Sequence, residues 1–177
     1  IPKDLFHKLA GFDSSLASSE DQDFALRHTM RGGKIGFIPE AEAIHNDSAL
    51  LISSYCRRAE WGAEQMVPFC NRHRDWPDNV ERERVNGPLQ WGREPISLSA
   101  RKLVRLALAL NAILAMLFSI TSTLERVTPN SCALDRCYRL LLGAHILRGY
   151  RKGRKRAPIG GSKAAIATDS WLKADDC

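Results

Sequence analysis

The feature that most constrains this chain is an almost uninterrupted apolar stretch from Leu103 to Ile120, in which only Arg105, Asn111 and Ser119 are strongly polar. A helix that is apolar on every face is buried in protein or in lipid, because a surface helix keeps one polar side. The stretch carries a charge and falls just short of the ~20 apolar residues that a membrane-spanning helix needs. We therefore predict one helix here, packed inside protein or skirting a membrane.

Capping and turn residues divide the first fifty residues into short segments, as expected for a compact α/β segment. Ser18 or Ser19 can cap a helix with an acidic first turn, and the pair Gly32-Gly33 ends it. Two short runs rich in β-branched and aromatic residues follow, separated by a Pro-Glu turn, and they predict strands. The elements expected in this segment are a helix over 4–9, a helix from Ser19 to Gly32, and strands over 34–38 and 41–44.

The rest of the chain is predicted to be mainly helical. A helix is expected over 48–70, and a last helix over Ala133 to Tyr150 leads into the basic run Arg151 to Arg156, a combination typical of interfacial membrane anchors. Between them lies a stretch rich in Pro, Asn, Asp and Arg that predicts a loop. The expected divisions are a first domain over 1–70, a linker over 71–97, a helical, membrane-associated extension over 98–156, and a disordered tail over 157–177.

Charge is distributed unevenly along the chain. The net charge of +6 is the sum of −3 over residues 1–50 and +9 over the remainder. An acidic front suits catalytic carboxylates and a metal, whereas a basic, leucine-rich back suits an anionic membrane surface, phosphates or nucleic acid. Because the basic residues are not interleaved with aromatic ones and match no nucleic-acid-binding fingerprint, nucleic acid is not an expected partner.

Cysteine usage and the first residues bear on location. The five cysteines form an odd set without a Cys-x-x-Cys pair, which favours reduced thiols over a disulfide framework. No charged segment followed by an apolar leader is visible, so no signal peptide is expected. Together with the basic helical end, these features predict a cytoplasmic protein that is peripheral to, or anchored at, the inner face of the membrane.

Three motifs follow one another in the first segment. They are Ala10-Gly11-Phe12-Asp13, then Ser19-Glu20-Asp21-Gln22-Asp23-Phe24-Ala25-Leu26-Arg27, then Gly36-Phe37-Ile38-Pro39 through Ala43-Ile44-His45. In this order they resemble the second half of family 2 glycosyltransferases, whose pattern is a Gly-Gly-Phe-Asp loop, a Glu-Asp-x-Asp helix start with a following Arg, a Gly, a Pro and a closing His. The resemblance is close over about residues 1–65 and looser over the helical end of the chain.

The resemblance implies both a fold and an activity. The fold would be α/β, a truncated GT-A half-domain of the Rossmann-like kind, followed by a mainly α-helical extension. The activity would be inverting transfer of a sugar from a nucleotide-diphosphate donor to a carbohydrate or lipid-linked acceptor, as in polysaccharide biosynthesis. The family's nucleotide-binding strands and Asp-x-Asp metal motif normally lie upstream of these motifs. The segment alone is therefore expected to be inactive.

By this resemblance, Asp21 is the catalytic base that takes a proton from the acceptor hydroxyl. The positive end of the helix dipole would help to keep this carboxylate ionised. Glu20 is a second catalytic candidate that orients the acceptor or caps the helix, and Asp23, four residues before Arg27, is expected to be structural support. The residues themselves leave open that all three are ordinary first-turn acids.

The resemblance also implies a divalent cation, Mg²⁺ or Mn²⁺, that bridges the donor diphosphate. His45 is its candidate ligand, although a lone histidine is more often a hydrogen-bonded structural residue and is softer than these cations prefer.

The substrate-binding candidates are Gly11, Phe12, Asp13, Arg58 and Trp61. Glycine would allow a sugar to approach the backbone closely, and Trp61 could stack on one. Arg57, Arg58 and Trp61 are similar to the Gln-x-x-Arg-Trp segment of processive sugar polymerases, but Arg57 replaces its Gln and Glu60 its Arg, so processive synthesis is not expected. A plain turn at Gly11 and a basic helix face around Arg58 remain alternatives.

A different class of function stays open at this stage. In it, the chain is a basic, non-enzymatic module that binds an anionic membrane or nucleic acid, and the acidic residues near its start are scaffolding.

Overall fold

The computed structural model describes residues 1–43, 51–129 and 131–157 of the chain. Over these ranges the protein is a mainly α-helical assembly without strands. Its helices are α1 (Lys3–Lys8), α2 (Glu20–Met30), α3 (Ile52–Arg72), α4 (Pro77–Asn86), α5 (Ile96–Leu108), α6 (Asn111–Val127) and α7 (Cys132–Arg156).

The predicted α/β half-domain is wrong for the described residues. Residues 34–38 and 41–43 have no regular structure, and Ile35, Phe37 and Ile38 are 61%, 90% and 64% exposed. A strand forms only where a neighbouring strand satisfies its backbone N–H and C=O groups, and the described ranges supply none. The sequence has the apolar pattern of a strand, but the described ranges contain no neighbouring strand that could pair with it. The end of the second predicted strand and the predicted tail over 158–177 lie outside the described residues.

The helix predicted from Ser19 to Gly32 is confirmed as α2. Gly32 ends it with a φ of +79°, a conformation that glycine adopts without strain. Ser19 stands at its start with a φ of +68°, but its hydroxyl does not cap the helix. The hydroxyl donates instead to Sδ of Met66 at 3.3 Å, so this residue ties α2 to α3.

The centre of the molecule is the pair α3 and α7, whose backbones approach closely at two glycines. A Cβ at Gly149 would lie 1.9 Å from the backbone oxygen of Glu60, and one at Gly153 would lie 2.4 Å from that of Glu64. Pro68 within α3 has no N–H to donate to the Glu64 carbonyl. The carbonyl that this proline leaves without its helical donor therefore faces Gly153.

Two apolar clusters are built on α3. The first joins the start of α3 to α6 and α7 through Cys56, Leu114, Leu117, Leu141 and Ala144. The second joins the end of α3 to the first segment through Leu16, Leu26, Phe69 and Cys70. Helix α3 is therefore shared by both cores.

The last helix, α7, packs part of its apolar surface inside the protein. Leu141 and Leu147 of α7 are buried inside the protein rather than presented outward. Part of the basic run that follows is paired within the fold, because Lys152 and Arg154 contact Glu60 and Glu83.

The apolar run from Leu103 to Ile120 is not the single helix that its sequence predicts. It is divided between α5 and α6, which meet at a bend of 83° around Ala109 and Leu110. Within the described ranges no single helix is long and apolar enough to cross a membrane, while this bent pair meets the length and composition criteria jointly. The stretch predicted as a linker also contains a helix, α4.

Candidate functional site

The Gly-Phe-Asp loop follows directly from the end of α1. Ala10 and Gly11 both have positive φ, 59° and 65°, and the Gly11 N–H donates to the Phe6 carbonyl at 2.9 Å. A Cβ at Gly11 would stand 3.1 Å from the Phe6 ring. Backbone conformation and space therefore both favour glycine at this position, which explains the residue without a ligand.

Arg27 fixes this loop against α2. Its guanidinium donates to the carbonyls of Leu9 and Gly11, the second at 2.7 Å, and its Nε donates to Oδ2 of Asp23 at 2.8 Å. One planar side chain thus joins the loop backbone to the first turn of the helix.

Asp23 is the buried partner in this arrangement. Its side chain is 1% exposed, and Oδ1 lies 2.7 Å from Nε2 of His73 while Oδ2 accepts from Arg27. Arg72 adds a second positive charge at 3.8 Å. The prediction of a supporting role agrees with these contacts, although the expected surface ion pair is in fact a buried cluster that connects α2 to α3.

Asp21 faces the other way. Residues two apart on a helix point to nearly opposite sides, and Asp21 is exposed, with Oδ1 accepting the Gln22 N–H at 2.8 Å. Its side chain lines an open groove of about 380 Å³. The other lining residues are mostly apolar, with His28 and Lys34 as the polar ones: Ile1, Pro2, Leu5, Phe12, Phe24, Ala25, His28, Lys34, Ile35 and Gly36.

Two phenylalanines, Phe12 and Phe24, line the groove near Asp21, and Phe6 packs against both of them. The ring centroids of Phe6, Phe12 and Phe24 are 5.2 to 5.6 Å apart, distances typical of packed aromatic pairs. Phe12 is 50% exposed, so one side of its ring remains open to the groove. An apolar ring beside a carboxylate is a surface on which the face of a sugar can rest.

His28 is a groove residue that the sequence analysis missed. Its ring occupies the space that a Cβ at Gly33 would need, 2.1 Å from the nearest ring atom. The signal was available, because Asp21, Ala25 and His28 follow the spacing of one helix face. Lys34, just beyond the glycine pair, brings a cation to the same groove.

Asp13 and Glu20, two other predicted site residues, do not line this groove. Asp13 accepts from the Ser15 N–H at 2.8 Å and pairs with Arg72. The hydrogen bonds from Ser15, together with the Arg72 charge, hold the pKa of the Asp13 carboxyl below its usual value. Asp13 thus links the loop to the end of α3, while Glu20 is half-buried at the start of α2.

Arg58 and Trp61 lie on α3 and are exposed. Neither is among the residues that line the Asp21 groove. The structure therefore does not bring these two substrate-binding candidates together with the candidate base.

A divalent cation finds no ready set of ligands in the described ranges, which hold no cluster of three His, Cys, Asp or Glu side chains. Asp23 is engaged with Arg27 and His73, which leaves Asp21 as the lone carboxylate of the groove. His45, the predicted ligand, lies outside the described residues. The described part of the groove thus offers a single carboxylate to such an ion.

Comparison of the chain with known protein families, with curated proteins and with solved structures finds no match.

Proposed function

We propose that this chain carries the acceptor-activating part of an inverting glycosyltransferase that uses a nucleotide-sugar donor. The observation that carries the proposal is the contrast between Asp21 and Asp23. One carboxylate is exposed in an aromatic-walled groove, and the other is buried and fully engaged. A general base must reach its substrate, so Asp21 is the member of the pair that suits this role.

In the proposed reaction, an acceptor hydroxyl binds within hydrogen-bonding reach of Asp21. The carboxylate takes the hydroxyl proton as the oxygen forms a bond to the anomeric carbon of the donor, and the bond from that carbon to the nucleotide diphosphate breaks. Phe12 supports the face of the acceptor sugar. His28 and Lys34 supply hydrogen-bond donors to its hydroxyl groups or to an anionic substituent.

The test is a rate and binding assay on the full-length protein with Asp21→Asn. We expect kcat to fall by roughly 100- to 10,000-fold, because the base acts on the acceptor proton in the transition state. Affinity for the nucleotide-sugar should stay nearly unchanged. Asp4→Asn, which removes an exposed first-turn acid of α1 outside the groove, is the matched control.

Two outcomes would contradict this assignment. If Asp21→Asn turns over normally while Glu20→Gln is inactive, the base is the neighbouring carboxylate. If neither substitution affects transfer, the acids are scaffolding and the alternative of a non-enzymatic binding module is favoured.

The cation remains a separate prediction. His45→Ala should weaken metal-dependent donor binding, measured by titration of the nucleotide-sugar with and without Mg²⁺ or Mn²⁺. Equal affinity of both proteins under both conditions would rule out His45 as a ligand.

A further inference from the structure

Helix α5 is turned with its apolar side outward. The exposed apolar residues on α5 and just beyond its end are Ile96 (88%), Leu103 (42%), Val104 (55%) and Leu110 (57%). The charged Lys102, in contrast, is 8% exposed. A surface helix normally buries its apolar stripe and exposes its charges. Helix α5 departs from this rule, because it buries Lys102 as well as Leu98 while these apolar residues are exposed.

Specific polar contacts hold α5 in this orientation. Lys102 Nζ donates to Oε2 of Glu94 at 2.5 Å and to the Pro88 carbonyl at 3.1 Å, and Ser99 Oγ donates to the same carboxylate at 3.1 Å. A buried lysine without these partners would be costly. The inward face of α5 therefore holds an ion pair, and its apolar face remains available to a different partner.

Helix α6, beyond the bend, also has exposed apolar side chains. Met116 and Ile120 are 58% and 43% exposed there. Large exposed apolar patches mark interaction sites. We call the exposed apolar residues of α5, the bend and α6 the α5–α6 ridge, made of Ile96, Leu103, Val104, Leu110, Met116 and Ile120.

A groove with a basic rim lies on each side of α5. The first, of about 670 Å³, combines Val104, Leu108 and Leu140 with the arginines at 101, 105, 136 and 139. The second, of about 420 Å³, combines Leu103 and Leu106 with the basic residues at 151, 154 and 155. Both grooves have an apolar floor and a cationic edge.

Several of these cations have no counter-ion in the part of the chain that the structure describes. Arg139 pairs with Asp135 and Arg154 with Glu83, but Arg101, Arg136, Arg151 and Lys155 have no acidic partner there. Burial and the neighbouring Arg101 charge lower the pKa of Arg105. An anion bound beside this arginine pair would offset their repulsion.

The residues themselves identify the class of partner. No acidic residue occurs from Pro95 to Leu124, so nothing on the ridge would repel an anionic surface. An apolar ridge between two cationic edges matches the interface of a bilayer, where acyl chains lie below a layer of phosphates. An apolar protein partner alone would leave the paired rows of cations unexplained.

We propose that the α5–α6 ridge is a membrane-docking surface, with its apolar side chains among the acyl chains of an anionic bilayer and the flanking cations against lipid phosphates. This surface does not include Asp21 or its groove, and the proposal is independent of sugar transfer.

Vesicle binding by the full chain tests the apolar part of the proposal. Val104→Glu should weaken binding to phosphatidylglycerol vesicles by on the order of tenfold or more, since it replaces an inserted apolar group by a charge. Val80→Glu is the matched control, because Val80 on α4 is 53% exposed and the substitution is identical. Far-UV circular dichroism checks that both variants keep their helical content.

The electrostatic part is tested by Arg101→Ala combined with Arg136→Ala. At roughly 1 kcal/mol per cation, binding to phosphatidylglycerol vesicles should fall by on the order of tenfold or more, and added salt should weaken binding of the unmodified protein. Lys3→Ala with Lys8→Ala removes two exposed charges from α1 and should have little effect.

Three results would overturn the proposal: equal binding of Val104→Glu and Val80→Glu, equal binding to phosphatidylglycerol and phosphatidylcholine vesicles at all salt concentrations, or a stable dimer that does not bind vesicles. Asp21→Asn should bind vesicles normally, so failure of the proposed transfer reaction leaves this test intact.

Discussion

At the residue scale, Asp21 and Asp23 have different surroundings because helical geometry points them to opposite sides of α2. Asp23 meets two basic side chains brought from α2 and α3, while Asp21 meets a groove. The sequence contains the spacing that separates them. The local spacing does not reveal that His73, fifty residues away, contacts Asp23, and so the burial of the Asp23 cluster could not be predicted.

Asp23→Asn should therefore lower the free energy of unfolding by about 2–3 kcal/mol. The substitution leaves the guanidinium of Arg27 and the ring of His73 without their shared anion in a largely buried cluster. Urea denaturation measures the change, and Asp21→Asn, at an exposed carboxylate, should leave the midpoint nearly unchanged. A midpoint for Asp23→Asn equal to that of the unmodified protein would mean that the cluster does not hold α2 to α3.

Glu60 should make stability depend on pH in the acid range. Burial alone would raise the pKa of this carboxyl, but hydrogen bonds from Lys152 and His145, aided by Arg148, bring it below its ordinary value of 4.5. A depressed folded-state pKa contributes stability above the unfolded-state value and loses it as the pH falls through the lower, folded value.

The free energy of unfolding of the unmodified protein should therefore exceed that of Glu60→Gln by its largest amount near pH 6. This difference should shrink below about pH 4.5. Denaturation at a series of pH values measures it. Glu40→Gln is the control, because Glu40 is exposed and forms no ion pair among the described residues. A difference that stays constant from pH 6 to pH 3 would show that the contacts of Glu60 do not depend on its charge.

At the element scale, the helices were easier to predict than the strands and the bend. Helices satisfy their own backbone hydrogen bonds, so local signals such as the acidic start and glycine end of α2 suffice. The strands predicted over 34–38 and 41–44 require a partner that the local pattern cannot reveal. No proline or glycine marks the bend between α5 and α6 in the sequence. The bend lies where the two helices pack separately against α7.

The contact between α3 and α7 provides a sharp test at this scale. Gly149→Ala should destabilise the protein although alanine favours helices, because its Cβ would collide with the Glu60 backbone oxygen. We expect a loss of about 1–3 kcal/mol in thermal or urea denaturation.

Gly143→Ala in the same helix is the matched control. Its Cβ would meet nothing closer than 3.7 Å, and so we expect a gain of up to about 1 kcal/mol from helix propensity. If both alanines stabilise the protein equally, the two helices do not pack as closely as described.

At the scale of the whole molecule, the rate at which the buried thiols are modified tests whether both cores are formed in the folded protein. Cys56 and Cys70 are buried, one in each cluster, and burial raises the pKa of both thiols, whereas Cys132 is exposed. Thiolates are the reactive form. Iodoacetamide should therefore modify Cys132 on the order of 100-fold faster than either buried cysteine in the folded protein.

Peptide mapping of the alkylated protein measures this difference, and denaturant should abolish it. Fast modification of Cys70 with protection of Cys56 would mean that the first segment separates from the helical core under native conditions.

Helix α3 carries both cores, since Cys56 belongs to one cluster and Phe69 to the other, about 20 Å apart along the axis at 1.5 Å per residue. The segment that bears the Asp21 groove and the part of the protein that bears the α5–α6 ridge are thus joined by one continuous helix. A helix sets the relative orientation of the two parts as well as the distance between them. Adding or removing one residue between the clusters would rotate the groove by about 100° around the helix axis, so the length of α3 sets the direction in which the groove opens relative to the ridge.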